Sequence, residues 1–291
     1  MKLCLKCASL FQGASWRCPQ CQYDVPIHDG FLAFAPELLS GSNEMFAVEN
    51  VAPLAALEEG HFWFEARNQL IVWAFRTFFP SAKTFLEVGC GSGFVLKELH
   101  QSLPHMQLFG GEMLTESLTF AASRVPSATY YQLDARCIPF VDEFDVVGAF
   151  DVIEHIEHDN LALKQLVRCV KLGGEVILTV PQHQFLWSSY DENGHHYRRY
   201  NRKDLFKKMQ EAGLQVRYAS SFVALLLPVM LLSRIRKKHE NIQDNQLSEF
   251  KIGPFLNGVL SFIMQLEHLM IRSGIRLPFG GSLLVVGERM A

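Results

Sequence analysis

The chain has 291 residues and a formal net charge of −3, with 49% hydrophobic and 20% charged residues. Such totals are typical of a globular protein with one large domain or two modest ones. The acidic balance argues against broad electrostatic capture of nucleic acid, so we expect no DNA partner and keep RNA as the weaker alternative.

The opening stretch, MKLCLKCASLFQ, has neither an apolar core segment nor a small-residue cleavage site, so it does not predict a signal peptide. No run of residues reaches the roughly 18 apolar positions of a membrane span. We therefore expect a cytoplasmic protein with reduced cysteines, in contact with the inner membrane at most peripherally.

Two CxxC pairs open the chain in the order C-x2-C-x10-C-x2-C, formed by Cys4, Cys7, Cys18 and Cys21. Four thiolates at this spacing are typical of a closed, tetrahedral, structural Zn²⁺ site. Because the segment has few apolar residues of its own, it needs the metal to fold. The pattern predicts a zinc ribbon over residues 1–38.

Residues 39–64 are predicted to be a linker and lid segment, since the polar stretch Ser40–Asn50 has no periodic pattern. The segment GHFWFEARNQ, Gly60–Gln69, then precedes the first predicted strand. His61 and Arg67 could belong to a lid over a ligand, or the segment could be plain helix packing, and the sequence leaves both open.

From about residue 65, strand-like segments alternate with amphipathic helical ones. Five of the strand-like segments are TFLEVG, MQLFGGE, ATYYQLDA, FDVVGAFD and EVILTVP. This alternation predicts an α/β domain over residues 65–291, with a Rossmann-like, doubly wound and mostly parallel sheet. Ligands of such sheets bind beyond the carboxyl ends of the strands.

The first of these strands runs into a glycine turn, FLEVGCGSGF, with Gly89, Gly91 and Gly93 at G-x-G-x-G spacing. The turn lacks the Lys-Ser/Thr ending of a phosphate-binding loop and the G-x-G-x-x-G spacing of the dinucleotide fingerprint. Glu87 precedes it, and an acid there would repel a pyrophosphate but would suit a cationic amine.

Two further acids end the next two predicted strands. Glu112 stands where a carboxylate can accept both hydroxyls of a ribose, and Asp134 stands where one can receive an adenine amino group. Together with Glu87 and the glycine turn, they describe a nucleoside with an amino-acid tail and no phosphate. That ligand is S-adenosylmethionine.

The order and spacing of these motifs resemble a class I S-adenosylmethionine-dependent methyltransferase, and FDVVGAFDVIEHI and LGGEVILTVP are similar to its fourth-strand and fifth-strand motifs. The resemblance covers roughly Glu65–Tyr218 and implies a seven-stranded sheet. By this resemblance the cofactor site is formed by Glu87, Gly89, Cys90, Gly91, Gly93, Glu112, Met113, Asp134, Ala135, Phe150 and Asp151.

The acceptor site is expected on the segments after the fourth and fifth strands. His155, His183 and His196 are candidate bases for an acceptor hydroxyl. Arg198 and Arg199 could hold an acceptor carboxylate or phosphate, or could instead pair with neighbouring acids.

Asp151, Glu154 and His155 would share one face if their stretch opens a helix, and could then hold a divalent metal. The quinone-biosynthesis O-methyltransferases have a similar acid-x-x-Glu-His pattern. Scaffolding around the cofactor is the other interpretation of the same residues.

The last third is predicted to hold the sixth and seventh strands, LQVRYAS and GSLLVVGER, which by the family resemblance form an antiparallel hairpin. The long stretch between them predicts a helical insertion at about residues 220–280. The insertion contains the apolar stretch Ser220–Leu232 with a basic flank, SRIRKK. It could cover an apolar acceptor site, bind peripherally to a membrane, or form the interface of a homodimer.

The sequence therefore predicts a methyltransferase for a small-molecule or lipid-like acceptor, with oxygen favoured over nitrogen. The first alternative is a ribosomal RNA methyltransferase that binds RNA through its zinc ribbon. It is opposed by the acidic balance and by Val180-Pro181-Gln182 where many base-amine methyltransferases carry Asn/Asp-Pro-Pro-Tyr/Phe. The second is a non-catalytic, cofactor-binding scaffold protein.

Overall fold

The computed structural model describes residues 1–39, 51–237 and 252–290. The predicted linker around Ser40–Asn50 and the middle of the predicted insertion lie outside these ranges. The strands are β1 Lys2–Leu3, β2 Leu10–Phe11, β3 Ile27–His28, β4 Phe31–Ala33, β5 Thr84–Val88, β6 Gln107–Glu112, β7 Thr129–Gln132, β8 Phe144–Phe150, β9 Val170–Pro181, β10 Leu214–Phe222 and β11 Ser282–Arg289.

Helices cover both faces of the main sheet, and short 3-10 turns link several of them. The α-helices are α1 Val51–Glu58, α2 Phe62–Phe78, α3 Phe94–Ser102, α4 Thr115–Arg124, α5 Asp159–Cys169, α6 Ser189–Asn193, α7 Arg202–Glu211, α8 Leu227–Lys237 and α9 Pro254–Arg272. The 3-10 helices are Pro36–Leu38, Ile153–His155 and Gln184–Leu186. Within the described ranges, no helix is both long and apolar enough to cross a bilayer.

The main sheet has the order β10-β11-β9-β8-β5-β6-β7-β4-β3. Its central strands, β7, β6, β5, β8 and β9, are parallel, whereas β11 runs antiparallel to both β9 and β10. The predicted α/β fold with a mostly parallel sheet is confirmed. The strand order reverses beside β5, so the glycine turn after β5 lies at the topological switch point where such sheets bind ligands.

The described sheet has nine strands, of which seven, β5 to β11, lie within the predicted domain over residues 65–291. The two additional strands come from the N-terminal segment, where β4 pairs in parallel with β7 through Leu32 and Tyr131, and β3 pairs with β4. The exposed edge of β7 offers backbone groups that another strand can satisfy, and β4 is the strand that does so.

The N-terminal segment is also joined to the sheet by an aromatic cluster around Trp16. The ring of Trp16 lies 4.5 Å from that of Phe34 and 5.4 Å from that of Phe140, measured between centroids, with edge-on geometry. Tyr131 of β7 completes the cluster at 6.2 Å. Edge-on aromatic packing of this kind buries much apolar area, so the segment is packed against the α/β domain.

Side chains of β5 alternate between the two faces of the sheet, as expected for a strand. Phe85 packs into one hydrophobic cluster with α2, whereas Leu86 and Val88 pack into the other with α5. Because both faces of this strand are covered, the carboxylate of Glu87 is carried into a buried position at its end.

The chain between β10 and β11 forms α8 and α9, and α9 packs against α2. A hydrogen bond from the Phe62 amide to Asn257 Oδ1, of 2.9 Å, joins the start of α2 to α9. The helix α2 begins at Phe62, three residues before Glu65, where the domain was predicted to begin. The His61 side chain caps this helix by accepting a hydrogen bond from the Trp63 amide.

Candidate active site

The carboxyl ends of four neighbouring parallel strands converge on the predicted cofactor site. The glycine turn follows β5, Glu112 ends β6, Asp134 follows β7 and Asp151 follows β8. The sheet register therefore brings together side chains that are far apart in the sequence.

The glycine turn leaves room for a ligand at Gly91. All three glycines have positive φ, which L side chains rarely adopt. A Cβ at Gly89 would lie 2.4 Å from Val152 Cγ2, and one at Gly93 would lie 2.8 Å from Ala121 Cα. A Cβ at Gly91 would meet no atom within 4 Å. Gly89 and Gly93 thus serve close packing, whereas Gly91 borders open space.

Glu112 is tied to the same turn. Its Oε2 accepts from the Gly91 amide at 2.9 Å, and its Oε1 accepts from the Met113 amide at 2.6 Å. Burial raises the pKa of Glu112 above its ordinary value, and these amide bonds act against that rise. The carboxylate is thereby held at the end of β6, the position predicted for contact with ribose hydroxyls.

Glu87 is almost wholly buried, with 2% of the residue exposed, and its Oε2 has no hydrogen-bond partner among the described residues. Burial raises the pKa of Glu87 well above its ordinary value, while nearby Arg67 lowers it. A buried carboxyl oxygen without a partner is costly. A cationic ligand beside the glycine turn would relieve that cost.

Two of the remaining predicted cofactor residues lie inside the protein. Cys90 and Phe150 are 5% and 4% exposed, and Phe150 lies against Phe85 with 6.4 Å between the ring centroids. Their positions indicate packing beneath the site more than direct contact with a ligand.

Met113, Asp134 and Ala135 are partly exposed at the ends of β6 and β7. The Asp134 carboxylate forms an ion pair with Arg136 at 2.7 Å. An adenine amino group would have to share that carboxylate with Arg136.

Asp151 stands between the cofactor side and the acceptor side of the site. It has a φ of +56°, a strained value for a residue other than glycine. Its Oδ2 pairs with Arg67 Nη1 of α2 at 2.8 Å and accepts from Thr179 Oγ1 at 3.2 Å. Arg67 therefore connects the predicted lid segment to the end of β8.

On the acceptor side, a buried carboxylate organises two predicted residues. Asp191 Oδ1 lies 2.8 Å from His196 Nδ1 and 2.7 Å from Arg199 Nε. Asp191 itself is 0% exposed and is held at the start of α6 by a capping box with Ser188. Arg199 also donates to the Gln182 carbonyl, so its guanidinium is largely engaged within the protein.

His155 and His196 meet beside Glu154, with 4.5 Å between the imidazole centroids. One ligand atom from each of Glu154, His155 and His196 lies within 4.8 Å of the other two. Glu154 is 0% exposed, and neither carboxyl oxygen has a hydrogen-bond partner among the described residues.

Burial raises the pKa of Glu154 well above its ordinary value, and Asp151 raises it further. Burial and then His196 lower the pKa of His155 to about 3, so its imidazole is neutral at physiological pH. Such a set could share a proton or hold a divalent cation. It differs from the set suggested by the sequence, because Asp151 is bound to Arg67 and His196 takes its place.

The other two acceptor-side candidates lie outside this cluster. His183 stacks between Phe185 and Phe279, at 4.9 and 5.7 Å between centroids. Arg198 pairs with Asp159 at 2.8 Å and donates to the Glu157 carbonyl. The structure thus brings together His155, His196 and Arg199 and sets His183 and Arg198 apart, although all five remain predicted site residues.

The sequence suggested Asp191 only as a possible partner of the arginines in its loop, as the Arg199 pair shows, and gave no sign that His196 also depends on it. A local signal was present, because Ser188-x-x-Asp191 has the spacing of a capping box and predicts a helix start. That signal would have placed Asp191 at an ordered position, but not its contact with His196.

The four N-terminal cysteines form a compact set. The Sγ atoms of Cys4 and Cys21 lie 3.6 Å apart, as do those of Cys7 and Cys18, and all four lie within 4.8 Å of one another. A tetrahedral Zn²⁺ with bonds of about 2.3 Å separates its sulfur ligands by about 3.8 Å. The donor set therefore fits zinc, and its sulfur-only composition disfavours Mg²⁺ or Ca²⁺.

A family model described as a methyltransferase domain matches residues 86–178. Trans-aconitate 2-methyltransferase of Azoarcus sp. (strain BH72) is 25% identical over 114 residues, covering 39% of this chain and 43% of that protein. The mitochondrial ubiquinone biosynthesis O-methyltransferase of Candida albicans is 28% identical over 114 residues, covering 36% of this chain and 35% of that protein. The chain thus spans less than half the length of these curated relatives.

Among solved structures, phosphoethanolamine N-methyltransferase 2 of Haemonchus contortus, in complex with S-adenosyl-L-methionine, is similar with a TM-score of 0.52. The identity is 19%, and the match covers 79% of this chain and 53% of that one. A likeness at this identity shows the fold. The matched domain over residues 86–178 and the likeness in fold agree with the methyltransferase resemblance of the sequence.

Proposed function

We propose that the protein transfers a methyl group from S-adenosylmethionine to a hydroxyl oxygen of a small-molecule or lipid-like acceptor. The observation that carries this proposal is the buried Asp191–His196 pair, which lies beside Glu154 and His155 in the segment after β8 and is suited to taking up a hydroxyl proton. The matched methyltransferase domain supports the reaction class.

The cofactor assignment rests on the fit of this chain's own residues. Gly91 borders open space, Glu112 is fixed beside it, and Glu87 offers a buried oxygen that has no partner among the described residues. When bound, S-adenosylmethionine supplies an electrophilic methyl carbon and a cationic amino-acid tail. The protein's task is then to align the acceptor and exclude water.

His196 is the proposed base. Its Nδ1 is held by Asp191, which leaves Nε2 as the ring nitrogen able to receive the acceptor proton. His155 lies beside it, and burial and His196 lower the pKa of His155 to about 3. His155 is therefore neutral and places no positive charge next to the proposed base. Arg199 keeps Asp191 ionised, and we assign it a positioning role.

We also infer a structural Zn²⁺ on Cys4, Cys7, Cys18 and Cys21. The Trp16 cluster and the pairing of β4 with β7 support a role in fixing the edge of the sheet. The same packing speaks against the RNA alternative, because the Trp16 ring is turned into the protein. Among the named relatives are both an O-methyltransferase and an N-methyltransferase, and the His196–Asp191 pair is our reason for preferring oxygen.

The test is a methyl-transfer assay with the zinc-loaded protein, S-adenosylmethionine and a panel of phenols, quinols, hydroxy acids and lipids, following S-adenosylhomocysteine formation. We expect turnover with at least one hydroxyl acceptor, and loss of that turnover in His196→Gln. Turnover only with amines would contradict the O-methylation proposal, and turnover only with RNA would favour the first alternative. Cofactor binding without turnover on any acceptor would favour the scaffold.

A further inference from the structure

The helix α9 presents an apolar face to solvent. Side chains one turn apart form this face, at steps of four and three residues: Phe255, Val259, Phe262, Leu266 and Leu269. Phe255 is 86% exposed, Leu269 66% and Phe262 60%. A contiguous row of large exposed apolar residues on a soluble domain marks an interaction surface.

The helix is firmly placed, so the exposure of this face is not the result of a loosely held element. On the opposite side of α9, Glu267 is 0% exposed and accepts three backbone amides, from Val223 and Ala224 at 2.6 Å and from Leu225 at 2.8 Å. Asn257 donates to the Gly60 carbonyl at 2.8 Å. These bonds fix which face of α9 points outward.

The described parts of the insertion carry more basic than acidic residues. Within its described parts, 223–237 and 252–281, Glu267 is the single acid, and it is wholly buried. Arg272 and Arg276 are exposed at and beyond the end of α9, and α8 ends in the sequence Arg234-Ile235-Arg236-Lys237. Over residues 223–281 the sequence has seven Lys or Arg and four Asp or Glu, whereas the whole chain carries −3, so the insertion is more basic than the rest of the chain.

The apolar surface also extends toward His183, one of the predicted acceptor-side residues. Val229 and Leu232 of α8 are 55% and 62% exposed, and α8 contacts the 3-10 helix Gln184–Leu186. Within that helix the exposed ring of Phe185 stacks on His183, as does the exposed ring of Phe279.

We propose that the insertion docks on an anionic lipid bilayer, with the apolar face of α9 in the interface and Arg272 and Arg276 against lipid phosphates. Exposed Phe and Leu beside basic residues are the chemistry that interfacial helices use. A second copy of this chain is the competing occupant, and the excess of seven Lys and Arg over four Asp and Glu in residues 223–281 favours an anionic surface over it. This inference concerns a surface separate from the proposed catalytic pair and stands independently of it.

The experiment is co-sedimentation of the full, zinc-loaded chain with phosphatidylcholine vesicles that contain or lack phosphatidylglycerol. We expect binding to the anionic vesicles, weakened by added salt. The double variant Phe255→Asp/Phe262→Asp should lower the partition coefficient for vesicles at least about tenfold, because it removes the aromatic area that docking on the bilayer would bury. The matched control is Leu172→Asp on β9, where Leu172 is 61% exposed, close to the 60% of Phe262.

A second variant, Arg272→Glu/Arg276→Glu, leaves the apolar face intact and should abolish the preference for anionic vesicles. The proposal is overturned if the wild-type protein does not sediment with anionic vesicles. It is also overturned if Leu172→Asp loses as much binding as the α9 variant, or if the wild-type protein is a dimer that Phe262→Asp dissociates. In the last case a second copy covers the face.

Discussion

Asp191 holds His196 through a hydrogen bond of 2.8 Å between Oδ1 and Nδ1, inside a pocket where the acid is wholly buried. Burial alone would raise the pKa of Asp191, but the bonds from His196 and Arg199 lower it below its ordinary value. The carboxylate is therefore ionised and can keep a proton on Nδ1. This one acid thereby fixes the tautomer and orientation of His196 and leaves the lone pair on Nε2.

Replacing His196 by Gln should lower kcat about 100-fold, because a positioned base typically contributes that much to proton transfer. Asp191→Asn should lower kcat at least about tenfold, because the tautomer of the His196 imidazole is then no longer fixed. The variant should also lose stability, because Arg199 is left without its carboxylate partner. Both effects are read from single-turnover methyl transfer, with the S-adenosylmethionine Kd expected to stay unchanged. The matched control is His195→Asn, since His195 is exposed and has a φ of +53° that Asn tolerates. Wild-type turnover in His196→Gln would remove it as the base.

Glu154→Gln distinguishes a shared proton from a metal. If burial keeps Glu154 protonated, the neutral and isosteric Gln should leave kcat within about threefold and should stabilise the protein by about 1 kcal/mol or more. Turnover is measured with and without added Mg²⁺ or Mn²⁺. A loss of activity in the variant, together with a requirement of the wild type for a divalent cation, would show that Glu154, His155 and His196 hold a metal.

The pH dependence of stability and binding should report on Glu87. Its pKa is raised in the folded, ligand-free protein, so ionisation opposes folding. Stability is therefore lost as pH rises from the unfolded pKa of about 4.3 through the raised folded value. Glu87→Gln should flatten this slope in thermal melts and raise Tm at neutral pH.

Binding should show the opposite sign, because a cationic ligand favours the carboxylate. Affinity of the wild type for S-adenosylmethionine should increase with pH over this window, and that of Glu87→Gln should not. Calorimetry at several pH values measures this, with the exposed Glu116→Gln as the control. Parallel profiles for Glu87→Gln and the wild type would show that Glu87 does not contact the ligand.

Loss of the proposed zinc should destabilise the N-terminal segment and the edge of the sheet that it covers. Gln132 Oε1 accepts from the Ala35 amide and Gln132 Nε2 donates to the Ala35 carbonyl, both at 3.0 Å. These bonds join the N-terminal segment to β7 near Asp134. Cys18→Ser should abolish binding of the proposed zinc, shift the tryptophan fluorescence through Trp16 and cost about 2 kcal/mol or more of stability. Metal analysis and thermal melts measure these effects, with the exposed Cys137→Ser as control. Full stability after chelation would contradict a structural role.

The elements that could be predicted from sequence are those whose cause is local. The glycine turn follows from three positions that need positive φ, and the central strands follow from short apolar runs between turn residues. The four cysteines are likewise recognisable by spacing alone. These features need no knowledge of distant contacts.

The rest depends on contacts between residues far apart in sequence. The pairing of β4 with β7 arises because the edge strand of the sheet was unpaired, which no local pattern of Phe31–Ala33 reveals. The pairing of Arg67 with Asp151 depends on where α2 crosses the sheet. For the same reason the sequence grouped Asp151 with Glu154 and His155, whereas the structure groups Glu154 and His155 with His196.

The most direct test of the cofactor site is calorimetric titration of S-adenosylmethionine into the wild type, Gly91→Ala and Gly173→Ala. Gly91 and Gly173 both have positive φ, and an alanine Cβ would meet no atom within 4 Å at either position. Gly173 lies near the amino end of β9, away from the site. We predict binding by the wild type and by Gly173→Ala, and affinity at least about tenfold weaker for Gly91→Ala. Equal binding by all three proteins, or none by the folded wild type, would contradict the assignment of the glycine turn as the cofactor site.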